Sequence, residues 1–235
     1  VETTISVKDL TVRRGDSPLN FDVADGLTLL INKRESGTST LSMALAGRYS
    51  PKGGSVLLYG EETKPRQRFK RIALAGSELI DTLERQVDVR EVIREQVAWS
   101  QMFFVPLRRD ILNHPKVEPW LEPLNLTHLD PSVDVGKLGV TDRFRLRILL
   151  ALIARPEADL LIVDDIDQIR SLKLRDTLLD DLVALSHHLP ILATTVNDDT
   201  GDHANHIVDL RHEASAEDTE TEDTEDTEEI EEVTS

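Results

Sequence analysis

The chain has 235 residues, 39% hydrophobic and 30% charged, with a formal net charge of −17. That is enough apolar sequence for one large globular unit, or a core with a smaller subdomain. It has no cysteine, which excludes disulfides and thiolate metal sites, and no apolar run approaches the roughly 18 residues that span a bilayer.

The charge is uneven. Residues 213–235 hold twelve acids and no Lys or Arg, which leaves −5 of the −17 for the rest. A mildly acidic body argues against a general nucleic-acid partner, whose phosphates call for a basic surface. Residues 1–4 contain no basic stretch leading into an apolar one, so no secretory signal is expected there.

Along the chain, residues 4–12 alternate and are rich in β-branched side chains, predicting a first strand. Residues 19–23 and 27–31 predict two more, the second apolar except for Thr28. Residues 40–46 are helix formers. Gly53-Gly54 is a turn before a strand at 55–59, and 71–75 is another short strand. From 83 to 153 the pattern reads as mainly helical, clearest at 89–100 and 143–154. Residues 160–163 form a continuous apolar run ending in Asp164-Asp165, the pattern of a central parallel strand. A helix is expected at 172–189, and strands at 191–196 and 207–210. Strands alternating with crossover helices predict an α/β fold with a mostly parallel sheet. The acidic stretch from about Glu213 cannot bury enough apolar surface to offset its ordering entropy, and is read as a disordered tail. It reads as a solubilising segment, with an electrostatic tether to a basic partner or a phosphorylated Thr cluster as alternatives.

The segment from Leu29 through Asn32-Lys33-Arg34-Glu35-Ser36-Gly37-Thr38-Ser39-Thr40-Leu41 has the strand, loop and helix order of a phosphate-binding loop, G-x-x-x-x-G-K-[ST]. Gly37 matches the second glycine and Ser39 the hydroxyl. Asn32 stands at the first glycine and Thr38 at the lysine. Alone, a Ser-Gly-Thr-Ser-Thr turn is equally a helix start. Downstream, Leu45-Ala46-Gly47, Gly54-Ser55-Val56-Leu57-Leu58-Tyr59-Gly60, Leu138-Gly139-Val140-Thr141-Asp142-Arg143-Phe144-Arg145 and Leu160-Leu161-Ile162-Val163-Asp164-Asp165 follow in order. Together with Leu10 to Gly15 and Asp25-Gly26-Leu27, this order and spacing resembles the ATP-binding cassette (ABC) ATPase family over everything but the tail.

The resemblance implies a P-loop NTPase-like core at 1–77 and 155–212, with an N-terminal antiparallel β-subdomain, and an inserted helical subdomain at 78–154. It implies ATP with Mg²⁺ as ligand. By position, Arg14 replaces the aromatic that stacks on adenine. Asn32, Ser36, Gly37, Thr38, Ser39 and Thr40 form the loop around the phosphates. Ser39 and Asp164 hold the metal, with Ser77 in place of a Gln that touches it. Asp165 replaces the Glu that acts as base, and Val196 replaces a His at the γ-phosphate. Ser171 falls near an Asp of the dimer contact. Gly139, Val140, Thr141 and Asp142 stand in the signature loop, which lacks its second glycine and gains an acid that would repel a triphosphate. Without that context, Asp164-Asp165 is equally a solvated strand end with a helix cap.

Because adenine, phosphate, water and trans-clamp contacts are altered together, the favoured reading is a catalytically impaired pseudo-ATPase. It would act structurally or as a regulator on an integral membrane subunit, lie in the cytoplasm on the inner face of the membrane, and require no nucleotide. A homodimer or a heterodimer with another ABC domain is expected. The alternatives are a slow but active transporter ATPase and an acidic-tailed scaffold. Trp99, Phe103 and Phe104 are read as core or interface of the helical subdomain, an exposed patch there being a docking site. His187-His188 is read as a solvated helix end rather than a metal site, since adjacent helical residues diverge.

Overall fold

The computed structural model describes residues 3–34, 36–77, 83–101 and 106–211. Two sheets organise it. In the first, β1 (Thr3–Thr11) lies between β2 (Leu19–Ala24) and β4 (Gly53–Leu58), antiparallel to both, and the two-residue β5 (Glu61–Glu62) extends β4. The second is fully parallel, in the order β6 (Ile72–Ala75), β7 (Leu160–Val163), β8 (Ile191–Thr195), β3 (Leu27–Ile31) and β9 (His206–Asp209).

The registers align the carboxyl ends of the parallel strands. Ala75 pairs with Val163, Val163 with Ala193, Ile31 with Thr195 and Ile31 with Asp209. Residues 32–40, 76–77, 164–168 and 194–197 therefore emerge on one edge, where open α/β sheets bind ligands.

Alternation along the parallel strands divides the core into two layers. Leu29, Ala73, Ala75, Leu161, Val163, Ile191 and Ala193 face one side. There they meet α3 (Val89–Ser100), α5 (Val140–Ala154) and α6 (Leu172–Ser186). Leu30, Ile72, Leu74, Leu160, Ile162 and Leu192 face the other, against α1 (Thr38–Leu45) and the antiparallel sheet. The buried residues of α3 and α5 thus form one continuous cluster with the sheet.

Most expected elements appear within a residue or two of their predicted bounds. The exception is the middle of the chain, which is less helical than its pattern suggests. Between Gln101 and Gly139 the described residues hold only α4 (Glu118–Leu121) and one 3₁₀ turn, Val135–Lys137. Pro106, Pro115, Pro119, Pro123 and Pro131 account for this, since each removes an amide donor and disfavours helix before it. Two elements have no sequence expectation: β5, and α2 (Pro65–Arg71), which starts on a proline whose fixed φ suits a first helical turn. Phe103, Phe104 and the acidic tail lie outside the described residues.

Candidate functional site

The loop after β3 is closed by its own side chains. The Asn32 amide N–H donates to the Thr195 carbonyl (3.0 Å), and its side-chain oxygen accepts from the Lys33 N–H (2.8 Å). Ser36 Oγ donates to the Lys33 carbonyl at 2.6 Å and lies 3.0 Å from Thr38 Oγ1. Gly37 then takes φ 77°, ψ 22°, the left-handed region open to glycine, and starts α1. Arg13 crosses from the end of β1: its guanidinium donates to Thr40 Oγ1 at 2.5 Å, and a Cβ on Gly37 would lie 3.5 Å from it. Arg14 is exposed and does not line the site.

An open cleft of about 1040 Å³ runs along this edge. Ser36, Gly37, Thr38, Ser39 and Thr40 line it, as do Asp165, Asp167 and Val196. Its cations are Arg13, Lys33, Arg34 and Arg170. Asp165 adopts φ 50°, ψ 69°, a strained conformation for a residue with a Cβ, and its N–H donates to Thr194 Oγ1 at 2.8 Å.

Asp164 is placed differently. It is 0% exposed and absent from the cleft wall, which excludes the solvated strand-end reading. Its Oδ1 accepts from Ser42 Oγ (2.8 Å) and Thr194 Oγ1 (3.1 Å). Thr194 therefore joins both acids, donating to Asp164 and accepting from Asp165. Asp164 Oδ2 and the fully buried Ser77 Oγ have no hydrogen-bond partner among the described residues. Gly76, between Ser77 and β6, has φ +85°, and a Cβ there would meet the Asp164 carbonyl oxygen at 2.2 Å. Glycine is required at this close approach.

A Mg²⁺ ion held as the sequence resemblance implies would find Asp164 Oδ1 already engaged, with Asp164 Oδ2 and Ser77 Oγ unpartnered among the described residues. Ser39 faces the cleft, whereas Asp164 binds Ser42, about one turn further along α1. Among the described residues Ser39 makes no side-chain hydrogen bond to Asp164. Thr38 brings a hydroxyl, already near Ser36, where a lysine would bring charge.

The residues expected in the signature loop begin α5. Gly139 precedes the helix, Val140 is 47% exposed, and Thr141 is buried. Asp142 turns to its own chain, accepting from Arg145 at 2.7 Å and lying 3.1 Å from His128 Nε2. Burial pushes its carboxyl up, but the bonds from His128 and Arg145 outweigh this and hold it below the usual carboxylate range. Arg145 continues to Asp181 on α6, also at 2.7 Å, in a buried pair; burial raises the Asp181 carboxyl despite that partner. Ser171 sits exposed at the start of α6.

Solved structures were found that share this architecture. The chain has a TM-score of 0.71 and 17% identity to CbiO1 from Clostridium perfringens, part of the ABC transporter complex CbiONQ, over 90% of this chain and 86% of that one. A nucleotide-free ATP-binding cassette from an ABC transporter gives 0.67 and 16%, over 89% and 88%. A bacterial Atm1-family ABC exporter with ATP bound gives 0.64 and 14%, over 89% of this chain and 37% of the exporter. The fold is that of an ABC transporter's ATP-binding cassette. No family model matches the sequence, and no curated protein does.

Within this cassette fold, four residues that sequence reading passed over shape the cleft or close its floor: Arg13, Ser42, Asp167 and Thr194. Asp167 is a clasp. Its carboxylate accepts from Thr195 Oγ1 (2.9 Å), the Val196 N–H (2.6 Å) and the Asn197 amide (2.8 Å), with Arg175 Nη1 at 3.7 Å. Val196 thus contributes a backbone donor to the clasp and an apolar side chain to the cleft. The Arg13–Arg14 pair carried a usable signal, since β1 ends at Thr11 and one register step decides which arginine reaches the loop. Ser42 carried none, because its role depends on how α1 is rotated against β7.

Proposed function

We propose that the chain is a cassette-type subunit that has kept the ABC fold and lost the hydrolytic site, a pseudo-ATPase with a structural or regulatory role on a membrane partner. In this reading residues 1–77 and 155–212 form the cassette core, 78–154 the helical part, and 213–235 a charged tail. The observation that carries it is Asp164, buried at 0% exposure with Oδ1 taken by Ser42 and Thr194. Oδ1 so placed reaches a metal in the cleft only by breaking both bonds, which leaves Oδ2 alone of the two carboxylate oxygens. Thr38 adds the second loss, a cation missing beside a polyanion.

The membrane partner is proposed from the architecture and from a second groove of about 770 Å³. It is lined by Arg48, Phe69, Glu95, Trp99 and Arg155 among others. Trp99 is 80% exposed and Phe69 41%, a large apolar display for a surface that meets only water. No helix among the described residues is long and apolar enough to cross a membrane, so attachment would be peripheral, on the inner face.

Calorimetric titration of the full chain with ATP, with and without Mg²⁺, tests the site reading. Weak binding that is indifferent to Mg²⁺ is expected. Binding strengthened by Mg²⁺ and weakened by Asp164→Asn would overturn it.

A further inference from the structure

The cleft has a charge it does not use internally. Four cations line it against two carboxylates, Asp165 and Asp167. Asp167 is committed to Thr195, Val196 and Asn197. Arg13 is bonded to Thr40. Lys33, Arg34 and Arg170 are exposed, and none of the three has an ion pair or side-chain hydrogen bond among the described residues.

The chain's strongest concentration of opposite charge is attached beside that cleft. β9 runs parallel to β3, and the Leu210 N–H donates to the Ile31 carbonyl at 2.9 Å, where the Asn32–Gly37 loop begins. Arg211, the last described residue, pairs with Asp209 and with Asp198, the neighbour of the cleft-lining Asn197. The segment that follows therefore starts at the rim. Residues 212–235 span roughly 80 Å if fully extended, far more than the distance across the cleft needs. They carry twelve acids and no Lys or Arg.

We infer that the acidic tail, residues 213–235, folds back onto its own basic cleft and occupies it as an internal polyanion, against Lys33, Arg34 and Arg170. Carboxylates spaced along a flexible chain match exposed cations without a fixed geometry. The tether places them at high local concentration. A soluble phosphate-bearing ligand entering the cleft would have to displace them. The inference needs only the cleft's charge and the tail's origin, and stands apart from the question of hydrolysis.

The test is zero-length carbodiimide coupling of the full chain without nucleotide, joining tail carboxylates to lysine amines, followed by peptide mapping. Lys33 is the acceptor inside the cleft, and the exposed Lys8, Lys52, Lys64, Lys70 and Lys173 are internal controls. Tail links in the monomeric product are expected to concentrate on Lys33. They are expected to fall roughly fivefold in the full-length Arg34→Glu/Arg170→Glu variant, and to fade in about 1 M salt, where the screening length is near 3 Å. Both reversed positions are exposed, so folding is retained, and circular dichroism checks it. Links spread evenly over the control lysines would overturn the inference, as would Lys33 links found only in covalent dimers or links unchanged by the double reversal.

Discussion

Thr38 and Asp164 act on different parts of the chemistry, and single substitutions separate them. A lysine at position 38 restores a cation beside any bound phosphate. A charge-assisted hydrogen bond contributes roughly 1.5–3 kcal/mol, so Thr38→Lys is expected to tighten ATP binding between about tenfold and a hundredfold by calorimetry. It leaves Asp164 enclosed by Ser42 and Thr194, so hydrolysis is not expected to follow. Ser42 itself has a structural weight: Ser42→Ala removes one of the two donors to a fully buried carboxyl. It should destabilise the fold by about 1–3 kcal/mol in urea denaturation. Asp142 gives a pH signature. Its carboxyl titrates below the usual range in the folded chain, so the unfolded state binds its proton first and stability rises with pH. That contribution is complete above about pH 5 and is lost as pH falls through the depressed folded value. Asp142→Asn should therefore lower Tm at pH 7, with the gap to the parent closing as pH falls below the usual carboxylate range.

At the scale of elements, Arg145 is the fastening between α5 and α6, with side chains 6% and 8% exposed at the Arg145–Asp181 pair. Arg145→Met leaves Asp181 buried without its cation and should cost about 3–5 kcal/mol. Arg145→Met/Asp181→Leu should recover most of it, because two apolar groups need no partner. Thermal or chemical unfolding of the three chains decides this. The elements were also where the sequence was most legible. Residues 27–31 and 160–163 show short apolar runs and 89–100 a helical period, and the structure places elements at those bounds. The stretch between α3 and α5 misled because its apolar residues, Ile111, Val117, Leu124, Leu126 and Leu129, are buried by irregular backbone that packs into the same core. Composition reports burial there, while the prolines decide the conformation. The site was legible only as a position. Loop residues 36–40 and Asp165 do line one cleft, but no local pattern reveals that Asp164 turns to Ser42, since that follows from how α1 and β7 pack.

For the molecule as a whole, two surfaces have separate roles. The groove around Phe69 and Trp99 is the proposed seat of a membrane partner, and Trp99→Ala should leave Tm unchanged while reducing recovery of the chain with the membrane fraction. An unchanged membrane association would direct attention away from that groove. The cleft at the carboxyl edge of the parallel sheet is the proposed remnant of a nucleotide site, with Thr38 and Val196 on its wall and Asp164 enclosed. Steady-state phosphate release by the purified full chain with Mg-ATP, beside Asp165→Asn, tests this account most directly. Turnover at background level is expected, with no difference between the two proteins. Turnover at the rate of a working ABC ATPase, abolished by Asp165→Asn, would contradict it.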